Sequence, residues 1–175
     1  MFKGYNGLNS EFQNRDARMN ALFEQIDSCC WNYSETGVYP DYTKSPRVGG
    51  AKSYIPGLTT YGVVGYGGRK WCSEIRKTYQ ESADYNYIRL PEMLLIYAEA
   101  TYELNGSITD DQLKKTINVI RERAHIANLT NNLVNNNGLN MLQEIRRERA
   151  IELFGEGFRI SDLCRWGIAV EEMDR

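Results

Sequence analysis

The stretch IRRERAIELFGEGFRISDLCRW, residues 145–166, sets Arg146, Arg147, Arg149, Arg159 and Arg165 among Glu148, Glu152, Glu156 and Asp162. Guanidinium and carboxylate groups at this density serve three kinds of chemistry. Carboxylates do acid–base work, arginines grip phosphates, and the two together neutralise each other inside a fold. The net charge of −2 supplies no global field that would draw nucleic acid, so no nucleic-acid partner is expected. Glycoside hydrolysis needs two carboxylates across a cleft, one of them able to donate a proton. Carboxylates held against arginines stay ionised and cannot donate it. The expectation is a chain that is not an enzyme.

The helix beneath the block points to the third chemistry. Over residues 139–154, at about 100° per residue, Leu139, Leu142, Ile145, Ala150, Leu153 and Phe154 fall on one broad side. Arg146 and Arg149 fall on that same side, where a solvated charge run would not place them. A buried guanidinium left without an oxygen partner costs several kcal/mol. Arginine suits the task because its planar fork bonds several oxygens at once. The expected network joins Arg146, Arg149, Arg159 and Arg165 to Glu148, Glu152, Glu156 and Asp162, with Glu99 reaching across from another helix. Gly155 and Gly157 permit a tight turn before a last helical segment from Arg159 to the end.

Other elements read as helices too. Met19, Leu22, Phe23, Ile26, Cys29 and Cys30 give helical spacing over residues 16–30. A second helix starts near Leu90, with Pro91 in its first turn and Gly106 as its C-cap. Leu90, Met93, Leu94, Tyr97, Ala100 and Leu104 form its expected inward stripe, with Glu92, Glu99 and Glu103 opposite. A third runs over 110–125, capped by Thr109 or Asp110. NLTNNLVNNNG, residues 128–138, reads as a polar connector. Residues 34–87 keep no helical stripe; short strand-like pieces are expected near 53–55 and 60–64.

The single His125 argues against a multi-histidine metal site or a histidine triad. Cys29, Cys30, Cys72 and Cys164 contain no CxxC pair. No metal and no cofactor is expected. No run of 18 apolar residues is present, and MFKGYNGLNSEF lacks the apolar core of a signal peptide.

Three segments, in order, resemble the C-terminal region of the SusD/RagB family: RLPEMLLIYAEATYELNG (89–106), LKKTINVIRERAHI (113–126) and IRRERAIELFGEGFRISDLCRWG (145–167). The last matches the family's pattern at Glu148, Arg149, Glu152, Leu153, Glu156, Gly157, Arg159, Asp162, Leu163, Arg165, Trp166 and Gly167. NRDAR (14–18) is similar to the family's DPR segment, with Ala17 where proline is usual. The resemblance implies a mainly α fold with TPR-like helix packing. It also implies an outward-facing outer-membrane lipoprotein that captures oligosaccharides or other nutrients and acts with a SusC-type TonB-dependent transporter. The chain is expected to be a fragment, with signal, lipid anchor and further helices belonging to a longer parent.

The family motifs read as scaffold, so ligand contact is expected in the aromatic stretch before them. Flat rings cover the apolar faces of sugars, and neighbouring polar groups take the hydroxyls. Trp31, Tyr39, Tyr42, Tyr54, Tyr61, Tyr66, Arg69 and Trp71 are the candidates. YGVVGYGG lacks the GK[ST] ending of a phosphate loop. The expected organisation is one domain over 1–175, with a loop-rich ligand-binding segment at 34–87 and a helical scaffold at 88–175. The alternative is a TPR-like module that binds a peptide between helices.

Overall fold

The computed structural model describes residues 12–23, 70–71, 84 and 86–174. The expected helix over 24–30 and the strand-like pieces lie outside these residues. The chain divides into two compact units, Met1–Tyr85 and Asn86–Arg175. Helix accounts for 64% of the described residues, with no strand among them, so the fold is mainly α.

In the first unit, α1 spans Ala17–Leu22. Asp16 caps it by accepting the Arg18 backbone N–H at 2.9 Å, satisfying one of the donors a helix start leaves open. The same carboxylate accepts the Arg18 guanidinium at 2.7 Å. Phe23 has extended backbone and ends the helix, short of the longer one expected.

The second unit holds seven helices among the described residues. α2 spans Leu90–Asn105, α3 Asp110–Lys115, α4 Ile117–Arg123, α5 Asn131–Asn136, α6 Met141–Glu152, α7 Arg159–Trp166 and α8 Ala169–Met173. α2 begins with Pro91 and ends at Gly106, whose φ of 66° gives the left-handed cap. The core comprises Leu95, Ala98, Ile108, Leu113, Ile117, Ile120, Leu129, Val134, Met141, Ile145 and Leu153. α2 packs most extensively on α6, an element distant in sequence.

Several expectations are corrected. The inward side of α2 is Leu95, Ala98 and Glu99; Leu90, Met93, Tyr97, Ala100 and Leu104 face out. The expected third helix breaks at Thr116, with φ −125° and ψ −94°. There the Thr116 hydroxyl bonds back to the Gln112 carbonyl at 2.7 Å, a contact known to bend helices. The presumed connector contains α5, capped by Thr130, whose side chain accepts from Leu133 N–H. α6 starts at Met141 behind an Asn140 cap, and Leu139 and Phe154 are exposed instead of inward. Left-handed Gly167 at φ 72° splits the final segment into α7 and α8.

Candidate functional site

Two ionic clusters hold the second unit together. In the first, Glu99 on α2 is 4% exposed and receives three donors. Arg165 on α7 grips it with both terminal nitrogens, at 2.7 and 2.6 Å. The Trp166 indole N–H donates to the same carboxylate. Arg146 on α6 lies 3.8 Å from Glu99 and donates to Glu103 at 2.9 Å. Two guanidiniums, Arg146 and Arg165, pack on the Trp166 ring at 5.0 and 4.9 Å from its centroid, within cation–π range. Hydrogen bonding to Glu99 raises the Arg165 pKa further above its ordinary value, with Asp162 adding to it against burial.

Asp162 extends this cluster. It accepts Arg149 Nε at 2.8 Å and Arg165 Nε at 2.9 Å. Arg149 and Asp162 are almost wholly buried, which makes this the best-shielded ion pair of the block. One terminal nitrogen of Arg149 is buried without a hydrogen bond. Its guanidinium instead packs on the Phe158 ring, 5.4 Å from the centroid.

The second cluster ties the entry to α2 onto the end of α6. Arg89 donates from Nε to Glu156 at 3.0 Å and from a terminal nitrogen to Glu152 at 3.2 Å. The hydrogen bond to Glu156 is the main reason the Arg89 pKa is raised. Arg123 on α4 contacts both Glu152 oxygens at 2.7 Å. Arg121 lies 3.6 Å from Glu148. The carboxylates of the charged block are therefore engaged with guanidiniums.

Expected partners Glu99, Glu148, Glu152, Glu156 and Asp162 all meet arginines here. Arg159 departs from expectation: it is exposed and lies 3.5 Å from Glu172 on α8, away from both clusters. Sequence reasoning missed Arg89, Arg121, Arg123 and Glu103 as network members. Arg121 and Arg123 both lie on α4, and their carboxylate partners Glu148 and Glu152 are on α6, far along the chain, so no local spacing signals the pairs. Among the ligand candidates, Trp71 is half-buried with left-handed backbone at φ 67°. Trp31, Tyr39, Tyr42, Tyr54, Tyr61, Tyr66 and Arg69 lie outside the described residues.

An open concavity of about 440 Å³ lies between the start of α2 and α4. Ile88, Leu90, Pro91, Leu94 and Val119 form its apolar wall, and Asn86, Arg89 and Arg123 supply polar groups. Among the described residues no three acidic, histidine or cysteine side chains gather in a metal-binding group. No helix among them is long and apolar enough to cross a membrane.

The arrangement is thus a helical scaffold fastened by arginine–carboxylate pairs, of the kind the SusD motifs encode. Comparison with known families matches residues 3–175 to the SusD family, and the chain belongs to that family. Its members are non-catalytic binding proteins for glycans and other nutrients, typically associated with the outer membrane. No curated protein and no solved structure matches the chain.

Proposed function

We propose that this chain is the nutrient-capturing part of a SusD-like outer-membrane uptake system, binding an oligosaccharide and passing it to a SusC-type TonB-dependent transporter. The family match over residues 3–175 carries the reading. The chemistry of the second unit supports it. Arginines and carboxylates of the charged block are consumed by one another in folding, which leaves recognition to side chains elsewhere.

The aromatic residues Trp31, Tyr39, Tyr42, Tyr54, Tyr61, Tyr66 and Trp71, with Arg69, are the proposed ligand contacts. Their types fit sugar stacking, in which a ring face covers C–H groups and nearby donors take the hydroxyls. The parent protein is proposed to be an outward-facing lipoprotein.

Isothermal titration of the chain with a panel of oligosaccharides tests the reading, using Trp31→Ala and Trp71→Ala as probes. Binding of one glycan class, lost in at least one of these variants while the helical circular dichroism stays unchanged, is the expected result. A folded chain that binds none of the panel, or binds equally well in both variants, would overturn the assignment of the site. Release of reducing sugar on incubation would overturn the non-catalytic reading.

A further inference from the structure

Three asparagines are followed directly by glycine: Asn6, Asn105 and Asn137. The first lies outside the described residues, and the other two stand at the ends of α2 and α5. This dipeptide has a chemistry of its own. The backbone nitrogen after an asparagine can attack the side-chain carbonyl carbon, and a glycine there has no Cβ to hinder the approach. Both reacting groups belong to adjacent residues, so the reaction needs no partner molecule other than water.

We propose that Asn137 is a site of spontaneous deamidation in the folded chain and converts ahead of Asn105. Hydroxide takes the proton of the Gly138 amide, and its nitrogen bonds to Cγ of Asn137. The Cγ–Nδ2 bond breaks, and ammonia leaves with a proton from water, which restores the hydroxide. A second water opens the resulting five-membered ring. Opening at the side-chain carbonyl gives aspartate, and opening at the backbone carbonyl gives isoaspartate. The net change is amide plus water to carboxylate plus ammonium.

The local structure sets the order. Asn137 and Gly138 are exposed, and a Cβ at Gly138 would meet nothing within 4 Å. Ring closure requires rotation about ψ of Asn137, which stands at 6°. That rotation pulls the Gly138 N–H from the Asn135 carbonyl, a long bond of 3.3 Å, and opens the 2.9 Å bond from Leu139 N–H to Val134. At Asn105 the following Gly106 N–H is held at 2.8 Å by the carbonyl of Tyr102, and Tyr102 packs on the core.

The two helices differ more than these bonds do. α5 has six residues, four of them asparagine, which is a poor helix former. Val134 is its one buried side chain. α2 has sixteen residues, rich in leucine, glutamate and alanine. A helix as short and as weak as α5 opens locally at a lower free energy than α2 does. Opening exposes Gly138 to base and frees the rotation that ring closure needs.

The product alters the joint before α6. Asn137 Nδ2 donates to the Leu133 carbonyl at 2.8 Å, and a carboxylate has no donor to replace it. The new negative charge also faces the last carbonyls of α5, the unfavourable end of a helix for an anion. Isoaspartate further adds one backbone carbon shortly before Asn140, which caps α6.

Peptide mapping by mass spectrometry tests the proposal on the full 175-residue chain. The chain is held in mildly alkaline buffer, folded in one arm and in concentrated urea in the other, and compared with an unincubated sample. In urea Asn105 and Asn137 should convert at similar rates, because the dipeptide alone then decides. In the folded arm Asn137 should convert several-fold faster than Asn105, with isoaspartate in excess over aspartate. An Asn137 that stays intact in the folded chain over the time that converts it in urea would overturn the proposal. So would equal rates at the two sites in the folded arm, or a product containing aspartate alone, which would show hydrolysis without the ring.

Discussion

Glu99 on α2 is buried beneath α7 with both oxygens held by Arg165, at 2.7 and 2.6 Å. A glutamate that hydropathy would place in water instead sits on the core side, because the guanidinium and the Trp166 indole supply its donors. Replacing it by glutamine keeps the size and removes the charge. Glu99→Gln should destabilise the unit by about 3 kcal/mol, since it leaves guanidiniums facing an uncharged group in a partly desolvated site. Urea denaturation followed by circular dichroism measures it. A loss below about 0.5 kcal/mol, the usual surface range, would remove Glu99 from the framework.

Trp166 contributes both a ring and a donor. Trp166→Phe keeps a smaller ring beside Arg146 and Arg165 but deletes the N–H to Glu99. Glu99 retains Arg165, so the expected loss is that of one hydrogen bond to a charged group, about 1.5–3 kcal/mol. The same urea titration reads it, and Trp166→Ala should cost clearly more because the stacking surface is also lost.

Asn118 fixes the chain after α4. Its side chain donates to the Leu129 carbonyl at 3.0 Å and accepts the Leu129 N–H at 2.7 Å, all within the interior. Asn118→Ala leaves both backbone groups buried and unpaired, at about 2–4 kcal/mol. Asn118→Asp keeps the acceptor but loses the donor, so it should not restore wild-type stability. Thermal unfolding of the two variants checks the pair of outcomes.

Gly157 and Gly167 carry φ values of 85° and 72°, yet a Cβ at either would meet nothing within 4 Å. The cost of alanine there is thus one of backbone alone, about 1–2 kcal/mol at each. Asparagine tolerates left-handed backbone better and should cost less than alanine at both positions. Equal losses for alanine and asparagine would show that something other than backbone strain is being measured.

The limits of α2 were legible because Pro91 and Gly106 act locally, through φ and a missing N–H. Its orientation was not, because a helix with two apolar sides is turned by its neighbours: Arg165 and Trp166 draw Glu99 inward and the larger apolar stripe outward. The inward side of α6 was legible in part. Arg149 is buried as its position among Ile145, Leu153 and Ala150 indicated, and Arg146 is partly buried against Trp166. α5 escaped notice because asparagines favour turns, yet a Thr130 cap and the burial of Val134 stabilise the helix anyway. The arginines of α4 escaped notice because their partners Glu148 and Glu152 lie on α6, beyond the reach of local spacing. Local signals therefore placed ends, and pairings over long sequence distances decided faces.

The most direct test of the buried framework is a double-mutant cycle on Arg149 and Asp162. Both side chains are almost wholly buried, and Arg149 Nε donates to Asp162 at 2.8 Å. Urea denaturation of Arg149→Met, Asp162→Asn and the double variant should show about 3–5 kcal/mol lost on removing either charge alone. The double variant should lose less than the sum, with a coupling of about 1–3 kcal/mol. Unchanged midpoints for the single variants, or losses that simply add, would contradict the claim that these arginines hold the fold together.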